Sequence, residues 1–240
     1  AMPPWKDIDT VLFDMDGTLL DLHFDSHFWL TLLPLTYAEQ RGVSLREAHE
    51  VCAATSSKVF GTLNWYCLDY WRDTLDVDIT GLKQTITHKI QVRPNVYSLL
   101  SELRELGKRV VLVTNAHPQS LALKMQHTDI ADYFHQLISS HQLQLAKENE
   151  GFWDKLQGLE AFDPQRTLLL DDSLYVLRRA YQKDSFECMY RDRITSEDPY
   201  FLSVSNGWGE DAPARWLWSD IEAQRERAQD EDVTDPLILF

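Results

Sequence analysis

The chain has 240 residues, of which 44% are hydrophobic, and a formal net charge of −15. This length suits one large domain, or a core that carries a smaller inserted one. The negative charge argues against nucleic-acid polymers as partners, because their binding depends on Lys and Arg neutralising phosphates. No apolar run approaches the roughly 20 residues of a membrane-spanning helix.

The N-terminal sequence and the cysteines favour a cytoplasmic location. The stretch AMPPWKDID has neither a basic segment nor an apolar one, so we expect no secretory signal. Cys52, Cys67 and Cys188 are scattered, without the spacing of a metal site or a disulfide framework. Small core residues are their simplest interpretation, and a reducing cytoplasm fits these features.

The first predicted element is a buried strand followed by two carboxylates. In VLFDMDGTLLD, residues 11–21, Asp14 and Asp16 stand one residue apart behind the apolar run TVLF (10–13), and the pattern breaks at Gly17. Two negative charges this close repel each other, so the pair is expected to serve a cation or a reacting group. An ordinary turn is the alternative, since Asp and Gly dominate turns.

Residues 22–90 show helical patterns and little strand pattern. We predict helices near 26–41, 44–60, 62–76 and 79–90. Ser44 followed by Glu47 resembles a capping box at one of these starts. A connection this long needs its own fold, so residues 22–90 are interpreted as an all-helical insertion, and residues 1–21 and 91–240 as the core.

Strands and helices alternate from about residue 94 onward. The predicted strands are RVVLVTN (109–115), QLIS (136–139), TLLLDDS (167–173) and, more weakly, FECMY (186–190). The predicted helices lie at 94–106, 119–130, 150–160 and 174–183, with one more near 213–229 in the polar stretch 191–240. Nearly continuous apolar strands are typical of parallel sheets covered on both faces. The fold class is therefore predicted to be α/β, with a Rossmann-like, doubly wound parallel sheet.

Polar residues follow the predicted strands in four places. They are Asp14 with Asp16, Thr114 with Asn115, Lys147, and Asp171 with Asp172. Ligands of an open α/β sheet bind beyond the carboxyl ends of its strands, so these groups are expected to converge on one edge. Taken singly, the pairs could be caps or turns and the lysine a surface residue. Their joint occurrence in this order favours a site.

The residue types in these groups suit phosphoryl chemistry. Carboxylate oxygens suit Mg²⁺, which takes one or two protein carboxylates together with waters and substrate phosphate oxygens. A carboxylate can attack phosphorus and form an acyl phosphate, and a lysine with Mg²⁺ would cancel the repulsion between the two anions. A second aspartate can protonate the leaving oxygen and then activate water.

The four groups together resemble the motifs of the haloacid dehalogenase (HAD) superfamily of phosphohydrolases. The resemblance implies that Asp14 is the nucleophile and a Mg²⁺ ligand. It implies that Asp16 is the general acid and base and binds the metal through its backbone carbonyl. Thr114 would bind the phosphoryl group with help from Asn115, and Lys147 would neutralise charge.

The same resemblance covers the last motif and the insertion. Asp171 would ligate the metal and Asp172 would support it through water, while residues 22–90 would form the family's α-helical cap, which closes over the site and excludes water. Ala146 stands before Lys147 where many members have proline, so the assignment of this lysine depends on order and spacing. Dehalogenating and phosphonate-cleaving members lack the second aspartate, so Asp16 favours phosphate ester hydrolysis or phosphoryl transfer.

The segment TLNWYCLDYW, residues 62–71, concentrates aromatic and amide groups. With DMDGTLLDL (14–22) and TNAHP (114–118) it resembles the bacterial GMP/IMP 5′-nucleotidase branch of the superfamily. The resemblance implies hydrolysis of purine nucleoside monophosphates, with Asn64, Trp65 and His117 as candidates for substrate contact. A core position for the aromatics and a turn position for His117 are the alternatives.

Two other classes of function stay open. One is a phosphosugar phosphatase or a phosphotransferase, such as a mutase, with the same core. The other is a catalytically idle nucleotide-binding protein, against which the intact set Asp14, Asp16, Lys147 and Asp171 argues.

Overall fold

Four short parallel strands form the centre of the computed structural model, which describes residues 5–182. The strands are β1 (Thr10–Phe13), β2 (Arg109–Thr114), β3 (Gln136–Ser139) and β4 (Thr167–Leu170). They lie in the order β3-β2-β1-β4, and every neighbouring pair is parallel. This confirms the predicted α/β class. The predicted strand 186–190, the predicted helix near 213–229 and Cys188 lie outside the described residues.

The strands are apolar because the sheet is covered on both faces. All residues of β1 and β4 are buried, and in β2 only the first residue, Arg109, is exposed. The helices whose apolar residues join this core are α7 (Val96–Glu105), α9 (Phe152–Leu159) and α10 (Leu174–Gln182). Sheet and helices therefore share one hydrophobic core.

The strand order reverses beside β1. The chain passes from β1 to β2 and β3 on one side and then returns to place β4 on the other side of β1. Phe13, the last residue of β1, is in register with Leu112 and Leu170, so these strands end near one another. Such a reversal creates a crevice at the carboxyl ends of the strands, which is the usual ligand site of open α/β sheets.

The residues between β1 and α7 are largely helical, as predicted. The helices are α1 (His23–His27), α2 (Leu33–Arg41), α3 (Leu45–Val59), α4 (Leu63–Tyr66), α5 (Leu68–Leu75) and α6 (Ile79–Gln84), with a π-helical turn at Phe28–Leu32 and a 3₁₀ turn at Thr87–Lys89. We call residues 23–89 the cap. None of the helices within residues 5–182 combines the length and the apolar character needed to cross a membrane.

The cap has a hydrophobic cluster of its own, which is built largely from aromatic and aliphatic side chains of its helices. Leu123 also belongs to this cluster, although it lies on α8 (Pro118–Gln126), the helix that follows β2. The cap therefore packs on the core through α8. The division of the chain at residues 22 and 90 stays a prediction.

The helix predicted at 62–76 is in fact two helices, because the backbone is extended at Cys67 (φ −82°, ψ 111°). The Trp65 carbonyl would pair with a backbone N–H in a continuous helix, but here it accepts a hydrogen bond from the Trp71 indole at 2.9 Å. The break thus lets Trp65 and Trp71 both be buried in the cap.

The predicted capping box at the start of α3 is confirmed. The Ser44 hydroxyl accepts from the Glu47 N–H at 3.1 Å, and the Glu47 carboxylate accepts from the Ser44 N–H at 3.2 Å. These bonds satisfy two donors that the first helical turn leaves without a partner.

Replacing Ser44 by Ala should lower the free energy of unfolding by about 1 kcal/mol, because the cap of α3 is lost. For a chain of this size that corresponds to a fall of roughly 2–4 °C in Tm, measured by circular dichroism. Ser57→Ala is the matched control, because Ser57 is exposed within the same helix and its hydroxyl only donates to the Ala53 carbonyl. Equal Tm changes in the two variants would contradict the capping role.

Candidate active site

Side chains at the carboxyl ends of the strands line a cavity of about 360 Å³ that is partly open to solvent, which we call the reaction cavity. All seven core residues singled out in the sequence line it, namely Asp14, Asp16, Thr114, Asn115, Lys147, Asp171 and Asp172. The fold therefore brings together groups that are far apart in the chain. Tyr66, from the cap, also lines this cavity.

Three buried carboxylates meet at one side of the reaction cavity. Asp14 follows β1, Asp171 and Asp172 follow β4, and each offers an oxygen within 4.8 Å of the others. The Lys147 ammonium donates to Asp14 Oδ1 at 2.9 Å, to Asp171 Oδ2 at 2.6 Å and to the Val113 carbonyl at 2.9 Å. Three carboxylates against one ammonium leave an excess of negative charge. Hard oxygen donors with such an excess fit a divalent cation of the Mg²⁺ type.

Burial governs the protonation of this cluster. It raises the pKa of Asp171 to about 7, and repulsion by Asp14 adds to the effect, while Lys147 opposes it. Burial alone would lower the pKa of Lys147, but the charges of Asp14 and Asp171 raise it above the usual value for lysine. A cation held between the carboxylates would favour their ionised forms.

The turn after Asp14 needs a glycine. Gly17 has φ +81°, and a Cβ there would lie 2.1 Å from Asp172 Oδ2. The turn is held by Thr18, whose hydroxyl donates to Asp14 Oδ2 at 3.1 Å. It is also held by the buried Arg93, whose guanidinium donates to the carbonyls of Gly17 (3.1 Å) and Thr18 (3.2 Å). The sequence analysis identified neither Thr18 nor Arg93.

Asp16 is not one of the three clustered carboxylates and forms an ion pair with Lys124 of α8. The Lys124 ammonium also donates to Asp25 Oδ2 of the cap at 2.6 Å, so one buried lysine bridges two aspartates. Burial, followed by the charge of Asp25, raises the pKa of Asp16 to about 7 against the opposing effect of Lys124. Sequence reasoning missed Lys124 and Asp25, although Lys124 shares the buried face of α8 with Ser120, four residues earlier.

Thr114 ends β2 and Asn115 follows it, and both side chains form hydrogen bonds to neighbouring groups. Asn115 Oδ1 accepts from the Lys147 N–H at 2.9 Å, and its amide donates to Glu148 Oε1 at 3.0 Å. The other Glu148 oxygen accepts from the Tyr66 hydroxyl of the cap at 2.6 Å. Asn115 therefore positions the lysine backbone and links it to the cap. The Thr114 hydroxyl accepts from the Ala116 N–H at 3.0 Å.

A second cavity of about 630 Å³ lies between the cap and α8, and we call it the cap cavity. Asp16, Tyr66 and Ala116 line both cavities, so the two adjoin there. Three tryptophans contribute to the wall of the cap cavity, namely Trp29, Trp65 and Trp71. The cap cavity thus has three tryptophans in its wall and meets the reaction cavity at Asp16.

The three candidates for substrate contact have different positions. Trp65 lines the cap cavity and is buried, and its indole N–H donates to the Ser56 hydroxyl at 2.7 Å. His117 also lines it. Asn64 is exposed and lines neither cavity, so the structure does not bring it together with the other two.

His117 has a defined tautomer when neutral. Its Nδ1 accepts from the Gln119 N–H at 3.2 Å, so Nε2 carries the proton and faces Asp69 Oδ2 at 3.5 Å. Burial lowers the pKa of His117, although Asp69 opposes this. Cys67 and Asp69 also place ligand atoms near His117. A protonated Nε2 cannot coordinate a metal, so these three residues do not form a cation site.

The chain resembles known proteins over most of its length. A model of the haloacid dehalogenase-like hydrolase family matches residues 8–177. GMP/IMP nucleotidase YrfG of Escherichia coli (strain K12) is 40% identical over 194 residues, which are 81% of this chain and 86% of the relative.

Solved structures share the fold. A HAD phosphatase from Thermococcus onnurineus has a TM-score of 0.60 and 25% identity, over 70% of this chain and 79% of the other. An L-2-haloacid dehalogenase from Xanthobacter autotrophicus has a TM-score of 0.51 and 14% identity, over 88% of each chain, and shows the fold alone.

Lys124→Met should be strongly destabilising, because it leaves the carboxylates of Asp16 and Asp25 buried without their cation. Breaking a buried ion pair in this way costs roughly 3–5 kcal/mol, measured as the free energy of unfolding in urea. The double variant Lys124→Met/Asp25→Asn should recover part of the loss, because one uncompensated charge is removed. A single variant as stable as the wild type would show that the bridge contributes nothing.

Proposed function

The chain belongs to the haloacid dehalogenase-like hydrolases, and within this family we propose that it is a Mg²⁺-dependent phosphatase acting on the purine nucleoside 5′-monophosphates GMP and IMP. The observation that carries the proposal is the junction of the two cavities at Asp16. One cavity holds carboxylates and a lysine, which suit a phosphoryl group. The other is walled by tryptophans, which suit a flat base.

Asp14 is the proposed nucleophile. Its carboxylate attacks phosphorus and forms an aspartyl phosphate, while the ester oxygen leaves. Lys147, bonded to Asp14 at 2.9 Å, reduces the repulsion between the carboxylate and the anionic substrate. When bound, Mg²⁺ would supply positive charge that offsets the negative charge of the phosphoryl oxygens. Asp14, Asp171 and the Asp16 carbonyl would hold it, with Asp172 acting through water.

Asp16 is the proposed acid and base. In its neutral form it donates a proton to the leaving oxygen, and as a carboxylate it then takes a proton from the water that hydrolyses the aspartyl phosphate. The pKa of about 7 supports this role, because both forms are then accessible near neutral pH. The position of Asp16 between the cavities also suits a group that acts on the oxygen joining phosphate and nucleoside.

The proposed substrate class is supported by the cap cavity and by the relatives. Stacking of a base on an aromatic side chain is worth about 1–3 kcal/mol, and Trp29, Trp65 and Trp71 line the cavity. The 40% identical relative is a GMP/IMP nucleotidase. These observations favour a nucleotide over the phosphosugar and phosphotransfer alternatives. A cytoplasmic location is part of the same proposal.

Asp14→Asn should reduce phosphate release from GMP to the detection limit, because the amide is a far weaker nucleophile. Removing divalent cations with a chelator should have the same effect on the wild type, and Mg²⁺ should restore the activity. Asp129→Asn, an exposed aspartate, is the matched control and should keep wild-type rates. Normal turnover in Asp14→Asn would refute the nucleophile assignment. Full activity after chelation would refute the need for the metal.

Asp16→Asn should affect poor leaving groups most, because they need protonation as the ester bond breaks. We expect a loss of about 10²–10⁴-fold in kcat/KM for GMP and a much smaller loss for p-nitrophenyl phosphate. The measurement is phosphate release from both substrates, with ribose 5-phosphate and glucose 6-phosphate included for the wild type. An equal loss on both esters would contradict the acid role. A preference of the wild type for sugar phosphates would contradict the nucleotidase assignment but not the phosphatase assignment.

A further inference from the structure

Lys83 of α6 carries a buried ammonium that contacts aromatic rings and, within residues 5–182, has no carboxylate at ion-pair distance. Its side chain is 3% exposed and lines the cap cavity. The Nζ atom lies 4.7 Å from the ring centroid of Phe28, 5.3 Å from that of Trp29 and 5.5 Å from that of Phe24. Within residues 5–182 it forms no hydrogen bond or ion pair, unlike Lys124, whose ammonium is bonded to two aspartates.

No described residue therefore supplies an acceptor for the N–H donors of Lys83. Cation–π contacts with ring faces are worth roughly 0.5–2 kcal/mol, which is less than the several kcal/mol lost when an ammonium leaves water. Burial lowers the pKa of Lys83 to about 8, while the charge of Asp25 opposes the change, so the side chain is still mainly charged at pH 7. A buried, charged donor that lines a cavity suits a ligand that supplies the acceptor.

The position of Lys83 indicates which part of the ligand it meets. Lys83 lines the cap cavity and not the reaction cavity, whereas Asp14, the proposed nucleophile, lines only the reaction cavity. Trp29, whose ring contacts the ammonium, lines the same space. A nucleotide with its phosphate in the reaction cavity would extend its nucleoside past Asp16 toward this wall. Asn64, the amide expected from the sequence to contact the base, is exposed.

An ammonium can only donate, so it selects an acceptor. In 6-oxopurines O6 and N7 are adjacent acceptors, and lysine commonly bonds to this edge of guanine. Adenine keeps N7 but has an amino group in place of O6, so the ammonium would lose one acceptor and meet a donor there. We propose that Lys83 binds the O6/N7 edge of the base and thereby makes the enzyme prefer 6-oxopurine nucleotides to adenine nucleotides. This inference rests on the proposed nucleotidase function.

The first test uses the wild-type enzyme and two substrates that differ at the base. Purine riboside 5′-monophosphate lacks the O6 oxygen of IMP but keeps the same ribose and phosphate. We expect kcat/KM for IMP to exceed that for the analogue by about 10- to 100-fold, the range for a hydrogen bond with a charged donor. Equal values for the two substrates would overturn the proposal whether or not any variant of Lys83 folds.

The second test repeats the pair of substrates with Lys83→Met, which keeps the length of the side chain and removes its donors. The preference for IMP over the analogue should collapse to within about twofold, and the fall in kcat/KM for p-nitrophenyl phosphate should be much smaller than the fall for IMP. Lys58→Met, on the exposed face of α3, is the matched control and should keep the full preference. An equal loss of activity on every substrate would show a structural role and overturn the proposal.

Lys83→Gln separates charge from donor ability. Its amide can both donate to O6 and accept from an adenine amino group. The ratio of kcat/KM for AMP to kcat/KM for IMP should therefore be higher than in the wild type. An unchanged ratio of AMP to IMP activity would contradict recognition at this edge. If the wild type hydrolyses aryl phosphate but neither GMP nor IMP, the nucleotidase function itself fails. If it hydrolyses both and Lys83→Met keeps the preference for IMP, only the role of Lys83 fails.

Discussion

The contact on which the site depends is the hydrogen bonding of the Lys147 ammonium to Asp14, Asp171 and the Val113 carbonyl. It joins the ends of β1, β2 and β4, which the sheet order places side by side. Without that cation, the aspartates after β1 and β4 would repel each other in a region from which water is largely excluded. The parallel sheet places these groups close together, and the lysine reduces the repulsion between the aspartates.

Three buried lysines, Lys147, Lys124 and Lys83, show how charge is distributed from core to cap. Lys147 is bonded to two carboxylates in the reaction cavity, and Lys124 is bonded to two at the boundary with the cap. Lys83 faces aromatic rings in the cap cavity. Lys83 is therefore the buried lysine among these three whose ammonium no carboxylate of residues 5–182 bonds, which leaves it to an acceptor on the proposed ligand.

The core could be predicted well from the sequence because the patterns that indicate its strands are local. Apolar runs located all four described strands, and the seven site residues follow or end those strands or lie in the loop after β3, so topology alone brings them together. The cap was harder to predict. The break at Cys67 accompanies the bond from the Trp71 indole to the Trp65 carbonyl, which hydrophobic periodicity does not predict. Periodicity indicates that a helical residue is buried but not what it faces, so the position of Lys83 in the cap cavity is not predictable from the sequence.

The cap also completes the reaction cavity, which bears on how binding at one end can affect chemistry at the other. Tyr66 lines both cavities, and its hydroxyl donates to Glu148, which accepts from Asn115. Asn115 in turn accepts from the Lys147 N–H. Burial and the charge of Glu148 raise the pKa of Tyr66 above its usual value, so the hydroxyl remains a donor. In the proposed function, a base in the cap cavity would contact Tyr66, which these bonds connect to the backbone of the lysine. Binding energy from the remote end of the substrate can then be used to orient groups at phosphorus.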